Sequence, residues 1–123
     1  MDQDAAKRLA AEAAIELVPA DGVVGVGTAV VGAQIYRGKT FPNWRGKLVF
    51  ADWSADFQKP SGQLFIASPP AAWGDPWSFE KLAQLETRIV SVARDLDGEL
   101  YVLTNETFGP YGKTGRVYRL TAP

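Results

Sequence analysis

The sequence contains no cysteine and no histidine among its 123 residues. The absence of cysteine excludes disulfides and thiol nucleophiles, and the absence of both residue types excludes Cys/His zinc sites. Acid–base catalysis by histidine is excluded as well. A metal ion bound by this chain would therefore be a hard cation with oxygen ligands. The carboxylates considered for that role, or for acid–base chemistry, are Asp52, Asp56, Asp95 and Asp97.

A charge surplus and a long apolar segment are also absent. The 13 Lys and Arg residues nearly balance the 14 Asp and Glu residues, which leaves a net charge of -1. Strong nucleic-acid binders usually carry a basic surplus, so we expect no nucleic-acid partner. The N-terminal residues are acidic and amphipathic without a long apolar run, which predicts neither a signal peptide nor a membrane span. The chain as expressed is therefore expected to be cytoplasmic, with no membrane partner.

The most informative pattern that the sequence does contain is an internal repeat. Gly46 opens the run GKLVFAD and Gly62 opens GQLFIA, while Gly98 opens GELYVLT and Gly115 opens GRVYRL. The second pair of glycines follows the first by 52 and 53 positions. Stacked β-architectures have repeat periods of roughly 40–50 residues, so this offset is only slightly long for one of them. Two copies of such a unit indicate an ancestry more firmly than an activity.

The N-terminal part of the chain has a different pattern. Residues 2–17 have apolar residues at helical spacing and are predicted to form a helix, which ends before Pro19 and the Asp21-Gly22 pair. The β-branched run from Val23 to Tyr36 is interrupted by Gly27-Thr28 and predicts one broken strand or two short strands.

The remaining sequence predicts two antiparallel meanders, because short apolar runs alternate with Gly/Asp/Pro turns. Residues 78–85 are predicted to be a short helix, with Ser78 as its cap and Phe79, Leu82 and Ala83 facing inward. Each meander has one apolar face, so the two are expected to pack together. We therefore predict one domain over residues 1–123 that is mainly β with one N-terminal helix. The first meander comprises 33–37, 48–53 and 63–67, and the second 88–94, 99–104 and 115–120.

Residues 29–120 resemble the C-terminal blades of the glucose/sorbosone dehydrogenase family. The resemblance rests on IYRGKTFPNWRGKLVFADWS, on GQLFIA and on RIVSVARDLDGELYVLTNETFGPYGKTGRVYRL. It implies a six-bladed β-propeller, and in many members pyrroloquinoline quinone and calcium serve sugar oxidation, often in the periplasm or outside the cell. The cofactor pocket of that family is assembled from many blades. Two blades cannot build it, so no cofactor is expected for this chain alone.

Residues 1–28 are similar to the start of type A ribose-5-phosphate isomerase, on the segment AAKRLAAEAAIELVPADGVVGVGT. In that family a strand leads into a Gly-Thr-rich phosphate loop, which implies a weak anion site at Gly25, Gly27 and Thr28. Here the segment continues with Ala29-Val30-Val31 and departs from the Gly-Ser-Thr pattern of the family. A glycine-kinked strand is the favoured interpretation of these residues.

The change of resemblance near Thr28 leads to the hypothesis of a recombined or engineered chain. The expected function is that of a structural, chimeric globular domain without autonomous catalysis. The alternatives are a fragment of a pyrroloquinoline quinone-dependent sugar dehydrogenase and a weak phosphate or sugar-phosphate binding module. Two blades leave open sheet edges, so self-association as a dimer or higher oligomer is expected.

Two aromatic residues in a Pro/Gly-rich loop, Trp73 and Trp77, are the candidates for stacking a ligand. The competing interpretation is that such rings close one end of a small core. For Asp95 and Asp97, the competing interpretation is a role as turn residues that bond local amides.

Overall fold

The computed structural model describes residues 29–123; the predicted helix at residues 2–17 and the start of the predicted strand run at Val23 lie outside them. The described chain forms seven β-strands and one 3-10 turn. The strands are β1 Val30–Ile35, β2 Leu48–Asp52, β3 Gln63–Ser68, β4 Ser78–Gln84, β5 Arg88–Arg94, β6 Leu100–Asn105 and β7 Arg116–Arg119, and the turn is Pro42–Trp44.

The strands form two antiparallel sheets in which neighbours follow the order of the chain. The first sheet has the order β1-β2-β3-β4 and the second has the order β5-β6-β7. In the first sheet Phe50 lies opposite Phe65, and in the second Val102 lies opposite Tyr118. The prediction of a mainly β fold with two antiparallel meanders is thus confirmed, with one more strand in the first sheet than predicted.

The predicted short helix at residues 78–85 is wrong, because these residues form strand β4 against β3. The apolar residues Phe79 and Leu82 are three positions apart, a spacing that also occurs on one face of a helix. In a strand, residues three positions apart point to opposite faces, so the same spacing also fits a strand. Phe79 packs with one apolar cluster and Leu82 with another. Pairing with the edge of β3 therefore overrides the local helical pattern.

The two sheets come closest at their first strands, β1 and β5. Gly32 in β1 has a φ of 75°, and a Cβ atom at this position would collide with the backbone nitrogen of Val92 in β5. The Gln34 side-chain amide donates to the Val92 carbonyl at 3.4 Å. Arg94 in turn donates from Nη1 to the Ile35 carbonyl at 3.4 Å. The absence of a side chain at Gly32 thus permits the close approach that joins the sheets.

The main apolar core lies between the sheets and draws on both of them. Fully burying one Val, Leu or Ile side chain contributes about 1.5–3 kcal/mol, so this cluster is the principal source of stability. Its position confirms that the two meanders pack face to face. The buried members are Tyr36, Val49, Ala51, Leu64, Ile66, Ile89, Val92, Leu100 and Val102.

A second apolar cluster lies on the opposite face of the first sheet. Phe50 and Phe65 stack at a centroid distance of 5.3 Å, and both are buried together with Ala67. Trp77 and Phe79 pack against them. Strands β2 and β3 therefore bury apolar side chains on both faces, a pattern usual for strands covered on two sides.

Candidate functional site

Glu99 is the most deeply buried carboxylate at the end of the sheets where β5 turns into β6, with 4% of its surface exposed. Its Oε1 accepts the backbone N–H of Lys39 at 2.8 Å and that of Thr40 at 3.1 Å. Its Oε2 accepts the Tyr36 hydroxyl at 2.9 Å. One side chain of the second sheet thereby holds the β1–β2 loop of the first sheet.

The pKa of Glu99 is lowered and the pKa of Tyr36 is raised, so both lie farther from neutral pH than usual. The hydrogen bond from the Lys39 N–H, aided by those from Thr40 and Tyr36, outweighs burial and lowers the pKa of Glu99 to about 2. Burial is the main cause that raises the pKa of Tyr36. General acid–base catalysts work best with a pKa near the working pH. At neutral pH this pair is a carboxylate and a neutral phenol, which suits a structural tie.

Asp95 fixes the tight turn between β5 and β6. Its Oδ1 accepts the backbone N–H groups of Asp97 and Glu99, both at 2.9 Å. Its Oδ2 accepts the Tyr101 hydroxyl at 3.1 Å, and this bond raises the pKa of Tyr101. The interpretation of Asp95 as a turn residue is confirmed.

Two of the other candidate carboxylates, Asp56 and Asp52, also accept hydrogen bonds from protein groups. Asp56 accepts the N–H of Gln58 at 2.8 Å. Asp52 accepts the N–H of Ala29 at 3.0 Å through Oδ1 and the Gln63 amide at 3.4 Å through Oδ2. Within residues 29–123, no three carboxylates lie together in a way that could hold a metal ion.

Arg88 occupies the opposite end of the sheets and is 4% exposed. Its Nη1 donates to the Glu106 carbonyl at 2.6 Å, and its Nη2 lies 3.4 Å from the carbonyls of Phe57 and Gln58. The guanidinium carbon lies 5.0 Å from the ring centroid of Trp53, a cation–π distance. Arg88 therefore joins the β2–β3 loop to the β6–β7 loop, a role that the sequence pattern did not indicate.

The two candidate tryptophans have different surroundings. Trp73 lies in the β3–β4 loop and is 97% exposed. Trp77 is half-buried and covers the cluster of Phe50 and Phe65. Packing accounts for Trp77, while ligand stacking by Trp73 stays a prediction. Gly25, Gly27 and Thr28 lie outside the described residues, so their anion site also stays a prediction.

An apolar groove lies between the outer strands of the two sheets. Its volume is about 590 Å³. Thr87 is one of the residues that line the groove, and its hydroxyl is buried without a hydrogen-bond partner. Glu86, Glu106 and Arg119 are its charged residues. The apolar lining comes from Leu64, Ala83, Leu85, Val102, Tyr118 and Leu120.

No family model matches the chain, and no solved structure matches it significantly. Among residues 29–123, no helix is long and apolar enough to cross a membrane.

Proposed function

We propose that this chain is a structural module without autonomous catalysis, built from two propeller-blade-like sheets. The observation that carries the proposal is the use made of the buried charged groups. Glu99 holds the β1–β2 loop and Arg88 holds two loops at the other end. Asp95 closes a turn. Each group satisfies backbone atoms, which is how a protein uses charge to fix loops.

The arrangement of the strands supports a blade-like origin. The first sheet is a four-stranded meander in chain order. The first strands of the two sheets, β1 and β5, lie side by side where the sheets come closest. A propeller is built from four-stranded sheets arranged radially around an axis. The N-terminal residues that resemble an isomerase remain, on this proposal, a segment joined to the blade-like part by recombination or design.

The proposal includes self-association through the outward face of the second sheet. In the repeat, Leu103 and Val117 correspond to Ala51 and Leu64, which are buried between the sheets. Val117 is 67% exposed. A second copy of the chain would cover Val117, as the second sheet covers its counterpart Leu64 in the first sheet. Sedimentation of the chain and of Val117→Glu tests this point, because a clean monomer of the parent chain at high concentration contradicts it.

The test of the non-catalytic role combines an activity assay with ligand-induced stabilisation. The chain is mixed with pyrroloquinoline quinone, calcium, glucose and a dye acceptor, and dye reduction is followed. We expect a rate equal to that of the protein-free mixture. Sustained turnover that depends on the quinone would overturn the proposal in favour of the sugar dehydrogenase fragment.

Ligand binding without turnover is tested by thermal unfolding and calorimetry. A ligand present at 100 times its Kd stabilises a folded protein by about 2.7 kcal/mol, which is easily measured. We expect no shift with the quinone and calcium, with ribose-5-phosphate or with inorganic phosphate. A saturable shift with ribose-5-phosphate that is lost in Thr28→Val would instead support the phosphate module. For the quinone, the corresponding test is whether a saturable thermal shift is lost in Trp73→Ala.

A further inference from the structure

Three aromatic side chains gather at the end of the sheets where Arg88 lies. The ring centroids of Phe57 and Phe108 are 4.8 Å apart. The Trp53 ring lies 5.7 Å from Phe57 and 5.5 Å from Phe108. Trp53 directly follows β2, Phe57 belongs to the β2–β3 loop and Phe108 to the β6–β7 loop. These three residues, which we call the aromatic cap, therefore join loops of both sheets.

The aromatic cap is open to solvent. Phe57 is 57% exposed and Phe108 is 60% exposed. Neighbouring exposed rings, unlike single exposed apolar residues, mark an interaction surface. The guanidinium carbon of the buried Arg88 lies 5.7 Å from the Phe108 centroid and 5.0 Å from the Trp53 centroid. A cation–π contact is stronger when it is removed from water, so a segment that covers the rings would also reinforce their contact with Arg88.

The N-terminal part of the chain joins the described fold beside the aromatic cap. The N–H of Ala29 donates to Oδ1 of Asp52 at 3.0 Å, and its carbonyl accepts the N–H of Trp53 at 2.7 Å. An extended chain spans at most about 3.6 Å per residue, so Val26 lies within about 11 Å of Ala29. The residues just before Ala29 are thereby held close to the rings.

The composition of these residues suits an apolar surface. Residues 23–28, VVGVGT, include three valines and no charged residue. Gly25 and Gly27 have no Cβ atom, which lets the backbone bend and come close to a neighbouring group. Covalent attachment over a short linker gives such a segment an effective concentration in the millimolar range. Any other occupant of the aromatic cap must therefore compete with a partner that is always present.

We propose that residues 23–28 fold over the aromatic cap of their own chain, so that their valines cover Phe57 and Phe108. The segment then contacts the β2–β3 loop and the β6–β7 loop together. It adds to the link that Arg88 makes between the same two loops. The N-terminal segment is thus packed against the two sheets at this end.

The first test locates the valines by nuclear Overhauser effects in the full chain. The protein is labelled at its valine methyl groups and its phenylalanine rings, and the methyl signals are assigned with Val24→Ile and Val26→Ile. We expect contacts from these methyl groups to the ring of Phe57 or Phe108. The absence of every such contact overturns the proposal.

A mixed sample separates folding within one chain from covering by a second copy. One batch is labelled only at valine and the other only at phenylalanine, so that contacts between the two labels arise only between chains. We expect none in this mixture. Contacts between Val24 or Val26 and the rings of the other chain would identify a second copy as the occupant and overturn the proposal.

Hydrogen exchange tests whether the segment holds the loops. The backbone N–H of Gln58 donates to Asp56, and that of Thr107 donates to Asn105, beside the two exposed rings. Val26→Asn is expected to speed exchange at both amides roughly fivefold, because uncovered loops open more readily.

The matched control is Val30→Asn, the same change at an exposed valine in β1. It is expected to leave exchange at Gln58 and Thr107 within about twofold of the parent chain. Equal acceleration by Val26→Asn and Val30→Asn overturns the proposal, and so does unchanged exchange in Val26→Asn.

Discussion

Replacing Gly98 with alanine should destabilise the protein considerably more than the same replacement at Gly46. These two glycines are counterparts in the repeat, and their φ angles are 84° and 82°. An L-residue in the left-handed region costs roughly 1–2 kcal/mol. Because the backbone conformation is nearly the same, this penalty is common to both variants. Any difference between them reports the surroundings of the new methyl group.

Those surroundings differ sharply. A Cβ atom at Gly46 meets no atom within 4 Å. At Gly98 it would lie 2.7 Å from the carbonyl carbon of Arg37 and 2.8 Å from the backbone nitrogen of Gly38. These are backbone atoms, so the β1–β2 loop must move, and overpacking of this kind costs about 1–3 kcal/mol. We therefore expect a loss of about 2–5 kcal/mol for Gly98→Ala and about 1–2 kcal/mol for Gly46→Ala.

Urea unfolding followed by tryptophan fluorescence measures both losses. If the slope of the free energy against urea is unchanged, the shift of the midpoint reports stability alone. Hydrogen exchange at Lys39 and Thr40 adds a local readout, since movement of the loop would weaken their bonds to Glu99. Equal destabilisation by the two alanines would refute the contact between the β5–β6 turn and the β1–β2 loop.

Three further predictions concern the buried carboxylate, the core and the tryptophans. The pKa of Glu99 is lowered from 4.5 to about 2, so its stabilising contribution is complete above about pH 4.5 and is lost as the pH falls toward 2. Urea unfolding of Glu99→Gln should not show this loss of stability between pH 4.5 and 2. A variant with the same pH profile as the parent chain would contradict the role given to Glu99. Ile89→Ala, in the core, should cost about 2–5 kcal/mol in the same assay. Val117→Ala on the exposed face should stay within about 0.5 kcal/mol when the protein is dilute enough to be monomeric. Trp77→Ala should lower the unfolding free energy by about 1–3 kcal/mol because it uncovers Phe50 and Phe65. Trp73→Ala should change the unfolding free energy by less than about 0.5 kcal/mol. A larger loss for Trp73→Ala than for Trp77→Ala would contradict the packing role of Trp77.

The strands of the two meanders were predictable because their side chains carry a period of two between clear turn signals. Leu100, Val102 and Thr104 alternate in the sequence with Tyr101 and Leu103, and all three are buried. The Asp97-Gly98 pair lies between two of the predicted strands, and Gly98 has the positive φ that a tight turn favours. Where the local pattern and the pairing partner agree, the sequence is sufficient to place a strand.

Two features depend on tertiary contacts that no local pattern contains. β4 has helical spacing in its apolar residues, and only the available edge of β3 makes it a strand. Glu99 and Arg88 each bond backbone groups that lie far away along the chain. A single charged residue at the end of a strand carries no signal that distinguishes a buried loop anchor from a solvated side chain.

The two copies of the repeat differ in residue type at some matching positions, and burial explains which positions differ. Ala51 and Ile66 face the core between the sheets, while their counterparts Leu103 and Arg119 lie in the second sheet, where the face is open. A core position between two sheets selects a small or branched apolar residue, whereas an open position tolerates a larger or charged one. Leu103 has nevertheless stayed apolar, and so has its neighbour Val117. An apolar pair at an open face, next to an arginine, supports the proposal that a second copy covers this face.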